Sequence, residues 1–256
     1  MLADVWLAWE PMPIEIDEVL RRSDQGKTEP YICRGSDNKI YFVKGKSAGY
    51  DSLVKEWVAG QLGRRLGLPI PRFSIVVVPR ELYEAGRSGA LSGLGFGSLF
   101  GSENVENANE ISFVNVEKAP AELKRDIAAF DWWIKNGDRT LTDAGGNPNI
   151  LWLEATRRLF VIDHNLAFDE EVTLTSQLEC HIFRKSLAEI CDDAGLRDHY
   201  NTRFDNALLD LPRILGDIPE RWHYVDDACT VDINLSLDRV DNLLKRHRVP
   251  AFWERT

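Results

Sequence analysis

Carboxylate and amide side chains in the middle of this sequence are of the types that phosphoryl transfer requires. Asp138 follows an Asn-Gly pair, Asn149 opens an apolar run, and Asp163 closes the apolar stretch of residues 159–162. A transferring phosphoryl group needs one carboxylate to orient the attacking hydroxyl, and an amide oxygen with a second carboxylate to hold magnesium. The three residues therefore predict a phosphoryl-transfer site, with Asp138 as the catalytic carboxylate and Asn149 and Asp163 as metal ligands.

The same residues carry a resemblance to a known family. The Asp138-Arg139 pair, an Asn that opens an apolar run and a strand ending in Asp163 look like the HipA-like kinases and, beyond them, the phosphatidylinositol 3/4-kinase-like superfamily. The likeness begins near Tyr31 and continues to the end of the chain, and its most specific part is residues 138–168. Residues 163–168 are also similar to the metal-binding segment of type II phosphatidylinositol 4-kinases.

The loop that follows Asp138 departs from the family pattern. In HipA and the lipid kinases the asparagine follows the aspartate more closely, whereas residues 141–146 lengthen the loop here. Asn147 and Asn149 are therefore both candidates for the metal ligand. Asn149 is favoured because it directly precedes the apolar strand, as the family's asparagine does.

Residues nearer the N-terminus are candidates for nucleotide binding. Lys44 ends a β-rich run, and Glu56 lies on the predicted helix that follows. The resemblance implies that Lys44 binds the α- and β-phosphates of ATP and that Glu56 positions Lys44. Arg34, Gly35 and Ser36 lie at a predicted hairpin turn, where backbone N–H groups could point at phosphates; a plain hairpin turn is the alternative.

Local patterns predict the elements that position these residues. Two β-rich runs flank the turn at residues 35–38 and predict a hairpin. Apolar residues at helical spacing predict helices from about Ser52 to Leu66 and from Pro120, the second ending just before Asp138. A second hairpin is predicted over residues 149–163, with mostly helical segments after it.

Glycine-rich stretches interrupt the first half of the chain. Residues 86–109 are rich in Gly, Ser and Asn and predict a long mobile loop. Within it, residues 93–98 are either a cover for the site or a surface loop without a role. The predicted fold is α+β and, as the resemblance implies, bilobal and protein-kinase-like. A β-rich N-lobe spans residues 1–118, and a mainly helical C-lobe spans residues 119–256.

Composition excludes several functional classes. The chain has 256 residues, of which 44% are hydrophobic, enough for one domain or two lobes with a shared cleft. A net charge of −10 argues against nonspecific binding to nucleic acids or anionic membranes, and the basic residues 245–248 predict a solvated helix end. No apolar run of about 18 residues and no signal-peptide pattern occur, which predicts a soluble cytoplasmic protein.

Together these patterns predict an ATP- and magnesium-dependent phosphotransferase that resembles HipA-like Ser/Thr protein kinases and acts on a protein hydroxyl. Two alternatives remain open. One is a lipid or small-molecule kinase on the same fold, against which the acidic charge and the missing membrane signal count. The other is a pseudokinase-like module that binds nucleotide but has lost its chemistry through the lengthened loop. The sequence leaves open the acceptor, the oligomeric state and any antitoxin-like partner.

Overall fold

The computed structural model describes residues 13–23, 29–86, 89–142 and 145–255. Its strands are β1 (Ile14–Arg22), β2 (Tyr31–Gly35), β3 (Ile40–Lys44), β4 (Phe73–Val78), β5 (Gly97–Glu103), β6 (Asn109–Glu110), β7 (Ile150–Leu153) and β8 (Arg158–Val161). Its α-helices are α1 (Tyr50–Arg65), α2 (Arg80–Ala85), α3 (Phe113–Lys118), α4 (Ala121–Trp133), α5 (Leu174–Cys180), α6 (Arg184–Asp192), α7 (Ala194–Leu208), α8 (Leu211–Gly216) and α9 (Leu237–Lys245). The chain is therefore a mixed α and β protein with a sheet-rich N-terminal region and a helical C-terminal region.

Three stretches that bear on the sequence predictions fall outside these ranges. They are residues 1–12, where the absence of a signal peptide was predicted, Arg87-Ser88 of the predicted mobile loop, and Asp143-Ala144 of the lengthened loop. Within the described residues, no helix is long and apolar enough to cross a membrane.

Five strands form a closed barrel in the order β1-β2-β3-β5-β4. Strands β1 and β4 pair in parallel, and every other neighbouring pair in the barrel is antiparallel. The predicted hairpin is confirmed: β2 and β3 pair from Tyr31 with Val43 to Arg34 with Ile40. Strand β1 was not predicted, because of its nine residues only Ile16 is buried and the rest are mostly charged.

The predicted mobile loop over residues 86–109 is wrong in its second half. Strand β5 lies there, between β3 and β4 in the barrel. Its Gly101 is required by packing, since a Cβ atom at this position would lie 2.5 Å from Cγ1 of Val76 on β4. Glycine usually weakens a strand and so predicts a loop, but here it allows a close approach of two strands.

The chain divides into two compact units. The first comprises Met1–Leu53 and Arg72–Asn104, and the second comprises Val54–Pro71 and Val105–Thr256. This division differs from the predicted boundary between residues 118 and 119. The barrel lies in the first unit, and the second unit holds the sheet β6-β7-β8 and helices α3 to α9.

The second unit includes residues 54–71 and 105–118, which precede the predicted boundary, and contacts within the unit explain why. The indole of Trp57, on α1, donates to the carbonyl of Ile214 at 3.1 Å. Strand β6 pairs with β7, with Asn109 opposite Trp152. Pairing and burial over such separations depend on tertiary structure, which local periodicity does not report.

Helix α4 ends in an aromatic cluster. The ring of Trp133 stacks on Phe204 with centroids 4.4 Å apart, and its indole donates to the carbonyl of Leu244 at 2.8 Å. Arg246 donates to the carbonyls of Trp132 and Trp133, which are the last residues of the helix. A cation at a helix C-terminus is favourable and satisfies carbonyls that lack a partner in the helix.

The basic stretch of residues 245–248 therefore differs from the predicted solvated helix end. His247 is buried, and the Arg246 guanidinium lies 4.6 Å from the ring centroid of Trp132 and 4.9 Å from that of Phe252. Burial lowers the pKa of Arg246 to about 9. Because α4 leads directly to Asp138, this packing fixes the start of the predicted catalytic loop.

Candidate active site

The turn after α4 is held by hydrogen bonds from both of its sides. Lys135 adopts a left-handed backbone with φ 50°. The N–H of Asn136 donates to the carbonyl of Asp131 at 2.8 Å, and Nε2 of Gln177 donates to the carbonyl of Asn136 at 2.9 Å. Both Asn136 and Gln177 are buried. The chain therefore leaves the helix in one fixed direction, with Asp138 half-buried two residues later.

Two asparagine amides converge on one oxygen of the Asp138 carboxylate. Nδ2 of Asn147 donates to Oδ2 at 2.7 Å, and Nδ2 of Asn149 donates to the same atom at 3.0 Å. A carboxylate accepts hydrogen bonds but donates none, so each amide must face it with nitrogen. The amide oxygens therefore point away from Asp138, and the hydrogen bonds of both amides go to Oδ2 of the carboxylate.

The predicted second hairpin brings Asn149 and Asp163 to the same end of two paired strands. Ile150 on β7 is opposite Val161 on β8. One residue further, the N–H of Ile162 donates to the carbonyl of Asn149 at 3.1 Å. Asn149 immediately precedes one strand and Asp163 follows the paired residue of the other, so the local fold places both backbones side by side.

Both residues also have left-handed backbones, with φ 47° at Asn149 and φ 57° at Asp163. Asn and Asp tolerate this region better than other residues with side chains. Such backbones cost of order 1–3 kcal/mol each and persist where the surrounding structure holds them, which is common at functional sites.

The two asparagines have different backbone partners. Asn147 pairs with Thr140 inside the loop: its carbonyl accepts from the Thr140 N–H at 3.0 Å, and its own N–H donates to Oγ1 of Thr140 at 3.2 Å. Asn149 instead pairs with Ile162, next to Asp163, and is buried. This difference favours Asn149 as the partner of Asp163.

Arg139 connects the loop that starts at Asp138 to the β7–β8 hairpin through hydrogen bonds. Its side chain is fully buried, and Nε donates to Oδ2 of Asp131 at 2.6 Å. Its Nη1 donates to the carbonyls of Asn149 at 2.5 Å and Ile162 at 3.1 Å. One guanidinium thus contacts the backbone of Asn149 and the backbone of Ile162, the residue before Asp163. All of these contacts lie in the interior, because Arg139 has no solvent exposure.

Glu56 contacts the segment that follows Asp163. Its Oε2 accepts from the backbone N–H of His164 at 3.1 Å and lies 3.6 Å from Nδ1 of the same residue. Both side chains are buried, and the His164 ring lies edge-on to Phe130. The contact belongs to the second unit, so Glu56 fixes the backbone immediately after a predicted metal ligand, a role that the sequence did not predict.

The remaining predicted phosphate-binding residues belong to the barrel. Lys44 is buried at the end of β3, opposite Phe100 of β5. The Arg34 guanidinium pairs with Glu18 at 3.2 Å, the Gly35 N–H donates to the carbonyl of Lys39, and the Ser36 N–H donates to the carbonyl of Glu15. The backbone N–H groups of Gly35 and Ser36 are therefore already hydrogen-bonded within the first unit. Phosphate binding by residues 34–36 stays a prediction.

The glycine-rich segment at residues 93–98 packs against the chain that follows β3. The N–H groups of Lys46 and Ser47 donate to the carbonyls of Leu94 and Gly93. Leu94 is fully buried, and a Cβ atom at Gly45 would lie 2.2 Å from the Leu94 carbonyl oxygen. Gly45 is therefore needed for this close backbone approach, and the segment is anchored at its N-terminal end.

The donor set fits a magnesium ion bound with the help of phosphates. Magnesium prefers oxygen ligands and commonly uses one or two protein groups together with substrate phosphates. Asp163 supplies a half-buried carboxylate, and Asn149 supplies an amide oxygen that faces away from Asp138. No group of three or more His, Cys, Asp or Glu side chains arranged for a metal occurs in the part of the chain that the structure describes. The carboxylate and amide oxygens of Asp163 and Asn149 are of the donor type that magnesium prefers.

Sequence reasoning missed Asp131 and its contact with His181. His181 Nε2 lies 2.9 Å from Oδ2 of Asp131, beneath the loop. Asp131 carries a sequence signal in retrospect, because it is the one charged residue in an apolar run over residues 127–134 that is buried throughout. Its partners at positions 136, 139 and 181 are a consequence of folding and leave no local pattern.

Comparisons with known proteins identify the family of the chain. A family model described as HipA-like kinase matches residues 16–256, nearly the whole chain, and the chain therefore belongs to this family. Among solved structures, the proinflammatory kinase CtkA of Helicobacter pylori is similar, with a TM-score of 0.45 and 12% sequence identity over 92% of each chain. Among curated proteins, none matches the sequence.

Proposed function

We propose that this member of the HipA-like kinase family is an ATP- and magnesium-dependent kinase that phosphorylates serine or threonine hydroxyls of proteins. The observation that supports it best is the carboxylate of Asp138. It is held through one oxygen by Asn147 and Asn149, while the paired backbones of Asn149 and Ile162 bring Asp163 beside them. A fixed carboxylate next to an amide oxygen and a second carboxylate is the donor set that phosphoryl transfer uses.

In this proposal Asp138 orients the acceptor hydroxyl and receives its proton. Because both asparagine amides donate to Oδ2, Oδ1 is the oxygen assigned to the hydroxyl. Asp138 therefore enters the reaction as a base with a fixed orientation, which is how a positioned carboxylate accelerates proton transfer.

Asn149 and Asp163 are assigned to magnesium, which would neutralise phosphate charge when bound. Lys44, at the end of β3, is assigned to the α- and β-phosphates, because an ammonium is a compact phosphate-binding charge. The pairing of Lys44 with Glu56 stays a prediction. Glu56 has the additional role of holding the backbone of His164, next to Asp163. The bilobal kinase fold is part of the same proposal.

Calorimetric titration of ATP with and without magnesium tests the nucleotide site. Asn149 is neutral and Asp163 anionic, so neither attracts a phosphate group without a cation. We expect ATP binding that requires magnesium and is lost when a chelator is added. Equal affinity under both conditions, or no binding in either, would contradict the proposed function.

Alanine substitutions separate the two asparagines. Asn149→Ala removes an amide oxygen assigned to magnesium and one donor to Asp138, so we expect loss of most phosphoryl transfer together with a raised magnesium requirement. Asn147→Ala removes only a donor to Asp138 and should leave the magnesium requirement near that of the wild type. Transfer rates measured across a magnesium titration distinguish them, and the reverse ranking would move the metal ligand to Asn147.

The acceptor class is decided by labelled ATP with protein substrates in one arm and lipid vesicles or small alcohols in the other. We expect label in protein serine or threonine. Label only in a lipid or small molecule would favour a kinase of that class on the same fold. Magnesium-dependent ATP binding without transfer to any acceptor would favour the pseudokinase-like module.

A further inference from the structure

Asp131 lies at the centre of a buried polar cluster beneath the candidate site. Its Oδ2 accepts from Nε of Arg139 at 2.6 Å and contacts Nε2 of His181 at 2.9 Å, while its Oδ1 accepts from Nδ2 of Asn136 at 2.9 Å. Asp131, Asn136 and Arg139 have no exposed surface. Burial alone would raise the pKa of the Asp131 carboxyl, but Arg139 and His181 hold this pKa well below its usual range. The carboxylate is therefore charged and fully paired.

The hydrogen bonds of His181 define which ring nitrogen carries hydrogen. The backbone N–H of Phe183 donates to Nδ1 at 3.0 Å, so Nδ1 is an acceptor. In a neutral imidazole the hydrogen then lies on Nε2, which donates it to Asp131. The backbone at Phe183 thus selects the tautomer that serves Asp131, in the way that a hydrogen bond on one ring nitrogen commonly sets the role of the other.

Stability alone is a weak reason for such a cluster. Removing two charges from water is costly, and replacing a buried ion pair by apolar side chains of similar volume is often neutral or stabilising. The second set of Arg139 contacts suggests a different role. Nε of Arg139 is bound to Asp131, and Nη1 donates to two carbonyls. One belongs to Asn149, a predicted metal ligand, and the other to Ile162, the residue before Asp163.

We propose that Asp131 and His181 are positioning residues for Asn149 and Asp163, acting through the guanidinium of Arg139. The inference rests on the proposed function in so far as these ligands hold magnesium. His181 orients Asp131, and Asp131 orients Arg139. Arg139 in turn holds the carbonyls of Asn149 and Ile162, next to the left-handed backbones of the two predicted ligands. The alignment of the amide oxygen and the carboxylate therefore depends on side chains that contact neither magnesium nor nucleotide.

Two substitutions at His181 separate the bond to Asp131 from the bond to Phe183. In His181→Gln the side-chain amide nitrogen takes the place of Nε2 and keeps a donor for Asp131. In His181→Asn the shorter side chain keeps an acceptor for the Phe183 N–H but does not reach Asp131. Both variants are polar and smaller than histidine, and melting temperatures show whether both are folded.

Two measurements are made on the wild type and both variants. One is the magnesium concentration that gives half-maximal ATP binding; the other is the exchange rate of the Ile162 amide hydrogen in the nucleotide-free protein. Substitution of residues that orient metal ligands commonly costs about 10- to 100-fold in metal affinity. We expect His181→Asn to raise the magnesium requirement about tenfold and to accelerate Ile162 exchange, and His181→Gln to stay close to the wild type in both.

Wild-type values in His181→Asn, or equal losses in the two variants, would overturn the positioning role. If the wild type itself binds no ATP with magnesium, the proposed function fails, and the exchange of Ile162 then decides the positioning role alone. Faster exchange in His181→Asn than in His181→Gln supports it, and equal exchange overturns it. The failure of one proposal is thereby distinguished from the failure of the other.

Discussion

Asp163→Asn is expected to remove magnesium-dependent ATP binding, and phosphoryl transfer with it. The substitution keeps the size and shape of the side chain but takes away the negative charge that retains a divalent cation before any reaction begins. A metal ion contributes several kcal/mol to the stabilisation of developing charge. We therefore expect transfer to fall by on the order of 10²- to 10⁴-fold.

The backbone at this position makes Asn the appropriate replacement. Asp163 has φ 57°, a region that Asn tolerates, and its Oδ1 accepts from the N–H of Asn165 at 3.5 Å, which an amide oxygen can also do. Asp163→Ala would lose this contact and strain the backbone, so it serves as the comparison that reports structural damage. Unchanged magnesium-dependent ATP binding in Asp163→Asn would remove Asp163 from the metal site.

The elements around the site were largely predictable, because local patterns encode them. Apolar spacing marks α4 up to the turn before Asp138, and two apolar runs around a turn mark the β7–β8 hairpin. Once the hairpin is known, antiparallel register places Asn149 beside the residue that precedes Asp163. The proximity of the predicted metal ligands thus follows from a short-range feature of the sequence.

The parts that sequence reasoning missed depend on contacts between distant residues. Strand β5 contains Gly101, whose missing side chain admits Val76, and no local pattern distinguishes such a glycine from one in a loop. His181 lies 50 positions from Asp131, and Glu56 lies 108 positions from His164, yet both pairs are in contact. Basic residues at 246 and 247 were expected in solvent, but aromatic residues of α4 and α7 pack on the buried His247, and the half-buried Arg246 lies against Trp132 and Phe252.

Three contacts from polar side chains in the second unit hold backbone near Asp138, Asn149 or Asp163. Arg246 contacts the last carbonyls of α4, Arg139 contacts those of Asn149 and Ile162, and Glu56 contacts the amide of His164. Buried polar groups are costly unless they are fully paired. Their concentration here indicates that the geometry of the loop and hairpin is specified by the interior of the second unit.

Asp138→Asn should lower phosphoryl transfer by about 10²- to 10⁴-fold, the usual contribution of a positioned base, while ATP affinity stays near that of the wild type. An asparagine here still offers one acceptor oxygen to the amides of Asn147 and Asn149, so the loop should keep its conformation. Asp138→Ala removes that acceptor and is expected to disturb Asn149 and the magnesium requirement as well. Single-turnover rates and ATP titrations on both variants provide the measurement.

The two aspartates must therefore differ: Asp138→Asn loses rate alone, whereas Asp163→Asn loses binding and rate. If Asp138→Asn keeps full activity in a preparation free of contaminating kinases, Asp138 is not the base.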